Sequence, residues 1–439
     1  MHFEKIDRFL QPINRFIAHE STAGLLLFVS ALIALVWANS PFSATYFHLW
    51  EHEFAVRLAG YTVTNSLHHW INDGLMAMFF FVVGLELKRE LMAGELSTPR
   101  QAILPLAAAI GGMLVPTLIF VVLNPGQPNV TGWGIPMATD IAFVLGILAL
   151  LGKRVPLSLK IFLTALAIVD DLGAILVIAV FYTSDISVVN LGAGGAFLAL
   201  LLLANAFGIR NPVFYGLVGI GGLWFAFLLS GVHATIAGVL AALTIPARPK
   251  IDERGFTQRL KHYLHEFEHI EPNDVTLLEP AQMHVLNQIK RLTRAADTPL
   301  QRLEHVLYPL VSFVVMPVFA LANAGISFTT ISAEALFHPV SVGIFLGLLL
   351  GKFSGVVGAC WIMIRFGWAS FPGDMQWKQI YGLGVLAGMG FTMSLFITTL
   401  AYESADLILH AKMGILVASL LAGVVGYVLL KTSLPPAQP

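Results

Sequence analysis

The 439-residue chain holds one cysteine, Cys360. That excludes an intrachain disulfide framework, and a lone thiol in an apolar segment says little about compartment. Charge is scarce as well. Asp, Glu, Lys and Arg supply 12% of the residues, about half the roughly 25% of a soluble globular protein. Neither sign dominates: a formal net charge of −1 argues against a nucleic-acid partner. What fills the chain is apolar, 57% of residues with a mean hydropathy of +0.78. These values place it among integral membrane proteins. The first stretch, "MHFEKIDRFLQPINRFIAHE", lacks the short apolar core and small-residue cleavage site of a signal peptide. Its amphipathic pattern predicts a helix on the cytoplasmic membrane surface.

A hydrocarbon layer of roughly 30 Å takes about 20 apolar residues per helix. Twelve stretches qualify, near 22–39, 70–87, 101–123, 133–151, 157–182, 190–208, 212–229, 231–247, 306–326, 339–365, 378–400 and 409–430. The weakest are the pair within 212–247, divided only around Ser230-Gly231, and the second span, whose start holds Asn72 and Asp73. With the N-terminus inside the cell, only Arg57 and Lys412 fall outside, Lys352 lies within a span, and every other Lys or Arg faces the cytoplasm. That asymmetry predicts both termini in the cytoplasm. Between the first two spans, "FAVRLAGYTVTNSL" predicts a small hairpin near 54–65. The stretch 248–305 reads as a long cytoplasmic insertion. Within it Phe256, Leu260, Tyr263, Leu264 and Phe267 follow the spacing of an amphipathic helix.

Four ionisable residues lie deep in spans: Asp140, Asp170, Asp171 and Lys352. Each costs about 2.5–3.5 kcal/mol at a helix centre. Left alone, the four would cost on the order of 10–14 kcal/mol, as much as the whole stability of a typical domain. They must therefore face one another or water. Three carboxylates and one ammonium do not neutralise, so the surplus needs protons or a bound cation. Sodium suits such a site, because carboxylate, hydroxyl, carbonyl and water oxygens are hard ligands. Neighbouring helix positions point about 100° apart. One of Asp170 and Asp171 can then line a water-filled cleft while the other faces a neighbouring helix, within reach of Lys352. A static charge cluster that only fixes helix packing is the weaker reading, since intramembrane ionisable groups mark ion pathways.

Two spans carry helix breakers. Pro136 precedes Thr139 and Asp140 in "GWGIPMATDIAFVLGIL", and its missing donor predicts a break there. "GLGVLAGMGFTMSLFITTL" places Gly382, Gly384, Gly388 and Gly390 before Thr392 and Ser394, which favours a second break; close helix packing is the plainer use of those glycines. Broken backbone at membrane depth belongs where it is buried in protein or lines a cavity. The two breaks fall in the middle spans of two triplets that start on opposite sides of the membrane. That predicts inverted three-helix repeats, the layout of midplane ion sites in secondary transporters. Two other motifs fail. "HEFEH", His265 to His269, matches the H-E-x-x-H zinc pattern of metalloproteases, but it lies in a His-rich charged loop with no third ligand at a recognisable spacing. "GLLLGKFS" has its glycine one residue too close for a phosphate loop, and Phe353 replaces the needed Ser or Thr.

Several long motifs in order resemble the bacterial NhaA sodium/proton antiporters: "WINDGLMAMFFFVVGLELKREL", "PMATDIAFVLGIL", "LTALAIVDDLGAI", "SGVHATIAGV", "LEHVLYPLVSFVVMPVFALANAGI", "LGKFSG" and "LAGMGFTMSLFI". The resemblance runs from about Phe16 to Leu430. That family is itself among the cases from which the inverted-repeat rule was drawn. The resemblance implies an all-α polytopic fold of twelve spans with two broken, crossing helices. It implies one transmembrane domain over 1–439, with ion-translocating repeats at 101–182 and 339–430. Interface spans then lie at 22–87 and 190–326, the latter carrying the 248–305 insertion. It also implies that Asp170 and Asp171 bind the cation and protons, and that Lys352 pairs with Asp170. Asp140 and Thr139 lie at the crossing, where Asp140 balances facing helix ends. Glu86, Arg89, Glu90, Glu304, His305 and His233 match positions of the pH response, and the hairpin at 54–65 matches a dimer contact. One departure is the insertion before Glu304, longer than the usual connection. The function implied is export of cytoplasmic Na+ (and Li+) against external H+, electrogenic and pH-regulated, in the bacterial inner membrane. Such a protein is a secondary transporter and not an enzyme, with no cofactor beyond the transported ions. A sodium-coupled symporter or a cation channel is the alternative on the same scaffold.

Overall fold

A computed structural model of the chain describes residues 20–58, 61–183, 186–270, 277–328 and 333–434. The N-terminal amphipathic stretch and the tip of the hairpin at Ala59-Gly60 lie outside the described residues. The chain begins with α1 (Glu20–Ala38) and α2 (Ser43–Glu51), then a two-stranded antiparallel hairpin, β1 (Glu53–Leu58) and β2 (Tyr61–Ser66). Next come α3 (Leu67–Ala93), α4 (Pro99–Leu123), α5 (Ile141–Leu150), α6 (Leu157–Phe181) and α7 (Val188–Ala206). The shorter α8 (Pro212–Leu228) and α9 (Ala234–Thr244) follow. Two polar helices, α10 (Glu253–Glu268) and α11 (Pro280–Ala296), make up most of the insertion. The rest is α12 (Pro299–Asn323), α13 (Pro339–Arg365), α14 (Trp377–Leu386), α15 (Phe391–Ala401) and α16 (Ala405–Ser433).

Among the described residues eight helical segments are long and apolar enough to cross a membrane, or up to ten if the bent pairs α1/α2 and α14/α15 each count as one span. The pairs bend by 113° and 43°. Helices α8 and α9 are apolar but fall short of that length. They separate at Gly231, whose φ of 83° suits glycine best. Val122, Val180, Leu217 and Leu420 point outward from four helices. An apolar exterior of this kind aggregates in water and dissolves in hydrocarbon. The chain is a multi-pass membrane protein.

The hairpin forms as its sequence predicts, with Val56 opposite Val63. Three features went unread. Helix α2 is too short for a periodic signal; it is anchored by the Tyr46 hydroxyl, which donates to Leu321 O at 2.8 Å. The insertion holds two helices where its pattern predicted one. Asp252 caps α10 by accepting from Gly255 N at 3.2 Å, and Glu279 and Gln282 form a capping box on α11. Lastly, Lys412, which the charge count assigns to the outer side, lies in the second turn of α16, a helix that starts at Ala405, before the predicted span at 409.

Candidate functional site

Two interruptions build the site. Residues Asn129–Met137 form a narrow 3-10 helix, the backbone is extended at Ala138 and Asp140, and α5 resumes at Ile141. The break therefore follows Pro136 by two to four residues. Proline denies its own turn a donor and crowds the turn before it, so that turn tightens. The α-helix restarts only where Asp140 caps it, its Oδ1 accepting from Phe143 N at 3.1 Å. The second interruption spans 387–390, between α14 and α15. A Cβ on Gly388 would meet Leu348 O at 2.3 Å, and one on Gly390 would meet Ala138 O at 3.0 Å. These two glycines make the break. Gly382 and Gly384 instead pack on Leu430 and Val357, the plainer role.

The interruptions touch. Asp140 N–H donates to Met389 O at 2.6 Å. The Thr139 hydroxyl lies 2.8 Å from Ala387 O and 2.6 Å from Asp170 Oδ2; with one proton, it donates to one of them at a time. Asp140 Oδ2 accepts from Thr392 N at 2.9 Å and from the Thr392 hydroxyl. One carboxylate thus serves the positive ends of two half-helices, α5 and α15.

Asp170 and Asp171 come from the middle of α6 and are 0% and 1% exposed. Asp170 Oδ2 is paired with Lys352 Nζ, which follows a wide π-type turn at Gly347–Gly351. Asp170 Oδ1 and Asp171 Oδ1 are buried without a hydrogen-bond partner. One carboxylate does meet Lys352, as the 100° offset requires. Neither opens onto a cleft: both side chains are buried, and Thr139 of the break and Lys352 of α13 sit against Asp170. Among the described residues no three His, Cys, Asp or Glu side chains converge as a metal site, so a sodium ion here would draw further oxygens from Thr139 or backbone carbonyls.

The sequence of the whole chain agrees with this geometry. The sequence model of the family described as Na+/H+ antiporter 1 matches residues 14–430. The chain belongs to that family. It is 53% identical over 437 residues to the Na+/H+ antiporter NhaA of Oleidesulfovibrio alaskensis, covering 99% of this chain and 97% of the relative. It is 49% identical over 427 residues to Na+/H+ antiporter NhaA 1 of Saccharophagus degradans, covering 97% and 92%. With the NhaA of Koribacter versatilis it shares 46% over 441 residues, covering 99% and 95%.

The six residues matched to the family's pH response divide into two places. Arg89 of α3 pairs with Glu304 of α12, and with Glu90 at 3.1 Å. Glu86 is electrostatically coupled to Glu304, Arg89 and Glu90, and its field also reaches Asp171. His305 is exposed beside Glu304. His233 stands apart at the start of α9, its Nε2 2.6 Å from Tyr182 O. In "HEFEH" the His265 and His269 rings lie 4.2 Å apart at the exposed end of α10, with His269 Nδ1 held at 2.8 Å by His265 O.

Several site residues escaped sequence reading. Thr392 and Ser394 were visible only as neighbours of the glycines; the Ser394 hydroxyl donates to Ile135 O at 2.8 Å, tying the two broken spans together. Tyr182 and Tyr402 pin the narrow helix, donating to Thr131 O at 2.7 Å and Asn129 O at 2.6 Å. Isolated tyrosines at span ends usually mark the membrane interface, which hid that role.

Proposed function

We propose that this Na+/H+ antiporter carries sodium and protons in turn on Asp170 and Asp171. One observation carries the reading: Asp171 is enclosed with its Oδ1 unpartnered, beside Asp170, whose Oδ2 Lys352 and Thr139 already occupy. Asp140 is committed to two helix ends. Among the described residues the charge left at Asp171 Oδ1 meets no hydrogen-bond donor, and an uncompensated buried carboxylate costs several kcal/mol on the order-of-magnitude scale for buried ions. A proton or a hard cation must meet that cost. Both use the same oxygens, so each excludes the other. Facing outward, the pair takes protons and releases sodium; facing inward, it does the reverse.

The chain runs as twelve spans with both termini in the cytoplasm of the bacterial inner membrane. Residues 101–182 and 339–430 are inverted repeats that move the carboxylates, and 22–87 with 190–326 form the interface scaffold. The hairpin near 54–65 joins two copies. More than one proton exchanges per sodium or lithium ion, making the cycle electrogenic, and no cofactor or enzymatic step takes part. Glu86, Arg89, Glu90, Glu304 and His305 set the pH response through the field that Glu86 exerts on Asp171. His233 acts separately, from the turn between α8 and α9. Nothing in the described residues favours a symporter or a channel.

Everted membrane vesicles test this. After a proton gradient forms, added sodium should dissipate it, and Asp171→Ala should abolish the effect. Full exchange by that variant would discard the site.

A further inference from the structure

We infer that Ser419, on α16, is a positioning residue for the ion site, acting by capping the half-helix α15 from outside; the inference rests on the site proposed above. Helix α15 starts at a break, and its own cap residue, Gly390, has no side chain to offer the free N–H groups of the first turn. Two other helices supply acceptors. Thr392 N donates to Asp140 Oδ2 at 2.9 Å, and Phe391 N donates to Ser419 Oγ at 3.2 Å. Ser419 is 4% exposed, so water is a poor substitute for its hydroxyl.

The consequence reaches the carboxylates in three short steps. Phe391 adjoins Thr392, which holds Asp140; Asp140 adjoins Thr139; and Thr139 lies 2.6 Å from Asp170 Oδ2. The Phe391 ring also packs edge-on against Phe143 of the other half-helix, with centroids 4.9 Å apart. Phe391 is therefore where both half-helices are registered, and Ser419 fixes its backbone. Without the hydroxyl, the Phe391 N–H loses its acceptor, and the one that remains at the first turn is Asp140, which already accepts from the adjacent Thr392 N. Drawing it toward Phe391 pulls Thr139 away from Asp170. The cation then meets a site with one oxygen displaced, so binding weakens while the charges that drive turnover stay in place.

The test measures sodium-dependent exchange in everted vesicles. Ser419→Ala should raise the apparent KM for sodium about five- to tenfold and lower the maximal rate by less than twofold. Ser419→Thr, which keeps the hydroxyl, should restore the KM. If the alanine variant fails to accumulate, Ser419→Cys, of similar size with a weaker acceptor, should show a similar rise. A KM equal to that of the unaltered protein in folded Ser419→Ala, or an equal rise in Ser419→Thr, overturns the inference. Asp171→Ala in the same vesicles separates the failures: retained exchange there sinks the site itself, whereas an inactive Asp171→Ala with an unaffected Ser419→Ala sinks only the role of Ser419.

Discussion

Asp140→Asn removes a charge while keeping the shape of the side chain, and the structure fixes what that costs. The aspartate accepts on both oxygens: Oδ1 from Phe143 N at 3.1 Å and Oδ2 from Thr392 N at 2.9 Å. The asparagine has one acceptor oxygen, so its amide must turn NH2 against one of two N–H donors. Leaving a buried donor unsatisfied costs about 1–3 kcal/mol. Losing a negative charge from a buried helix N-terminus costs up to ~2 kcal/mol, and Asp140 serves two such ends. Because the terms overlap, the loss should be about 3–5 kcal/mol. At about 2.1 cal/mol/K per residue, 439 residues melt with an entropy near ~0.9 kcal/mol/K. The unfolding midpoint in detergent should therefore fall by about 3–5 °C. The assay is a thermal melt of purified Asp140→Asn and Asp140→Ala beside the unaltered protein. If Asp140→Asn melts with the unaltered protein, the carboxylate does not hold the broken helices, and the account of the crossing fails.

Lys352→Ala leaves Asp170 buried with its main partner gone, which costs about 3–5 kcal/mol for a buried pair; a melting point within 1 °C of the unaltered protein, taking ~1 °C as about 1 kcal/mol for a chain of this size, would count against the pairing. Arg89→Ala should differ. Arg89 is 39% exposed, so solvent screening holds the stability loss below about 1 kcal/mol, while the pH profile of exchange should shift; an unmoved profile removes the cluster from the pH response. His265→Ala and Glu266→Gln should leave sodium-dependent exchange at its normal rate, and its complete loss would revive a metal site on α10. His338 caps α13 and stacks on His410 at 4.1 Å. Burial and that neighbouring ring push its pKa below the ordinary 6.5. The unfolded chain then binds more protons than the folded one below that pH, so this contribution to stability is whole above about pH 6.5 and declines on acidification. Melts from pH 8 to pH 5 should show the decline in the unaltered protein and less of it in His338→Asn, which keeps a cap; equal declines would refute the linkage.

The site was legible where it broke a rule of composition. Asp140, Asp170, Asp171 and Lys352 stand out because charge at membrane depth is expensive, and Gly388 and Gly390 because glycine is out of place mid-helix. The residues that complete the site break no such rule. Ser419 is one serine among small residues, and Tyr182 looks like any interfacial aromatic. Their roles come from contacts between segments hundreds of residues apart, which local pattern does not carry. The same reason explains the misplaced break near Pro136: propensity locates the disturbance, but the cap at Asp140 decides where the helix resumes. The second helix of the insertion was readable in principle, since Val285 and Leu292, both buried, share one face; its charged surroundings masked the period.

The three carboxylates of the proposed site differ in their hydrogen bonds and in one ion pair, that of Asp170 with Lys352. All are essentially buried, so desolvation does not tell them apart. Asp140 has acceptor bonds on both oxygens, and a proton or cation arriving there would have to displace them. Asp170 has one oxygen held by Lys352 and Thr139 and one without a partner, so an occupant would have to displace the ammonium at Oδ2 but not at Oδ1. Among the described residues Asp171 makes no ion pair and has a buried Oδ1 without a partner, so on the proposed mechanism an arriving ion meets the least competition there. On the proposed mechanism, readiness to exchange should therefore rise from Asp140 to Asp170 to Asp171. Neutralising substitutions should accordingly harm folding most at Asp140 and sodium binding most at Asp171. A melting series that ranked Asp171→Asn as the most destabilised of the three would reverse this order and refute the division.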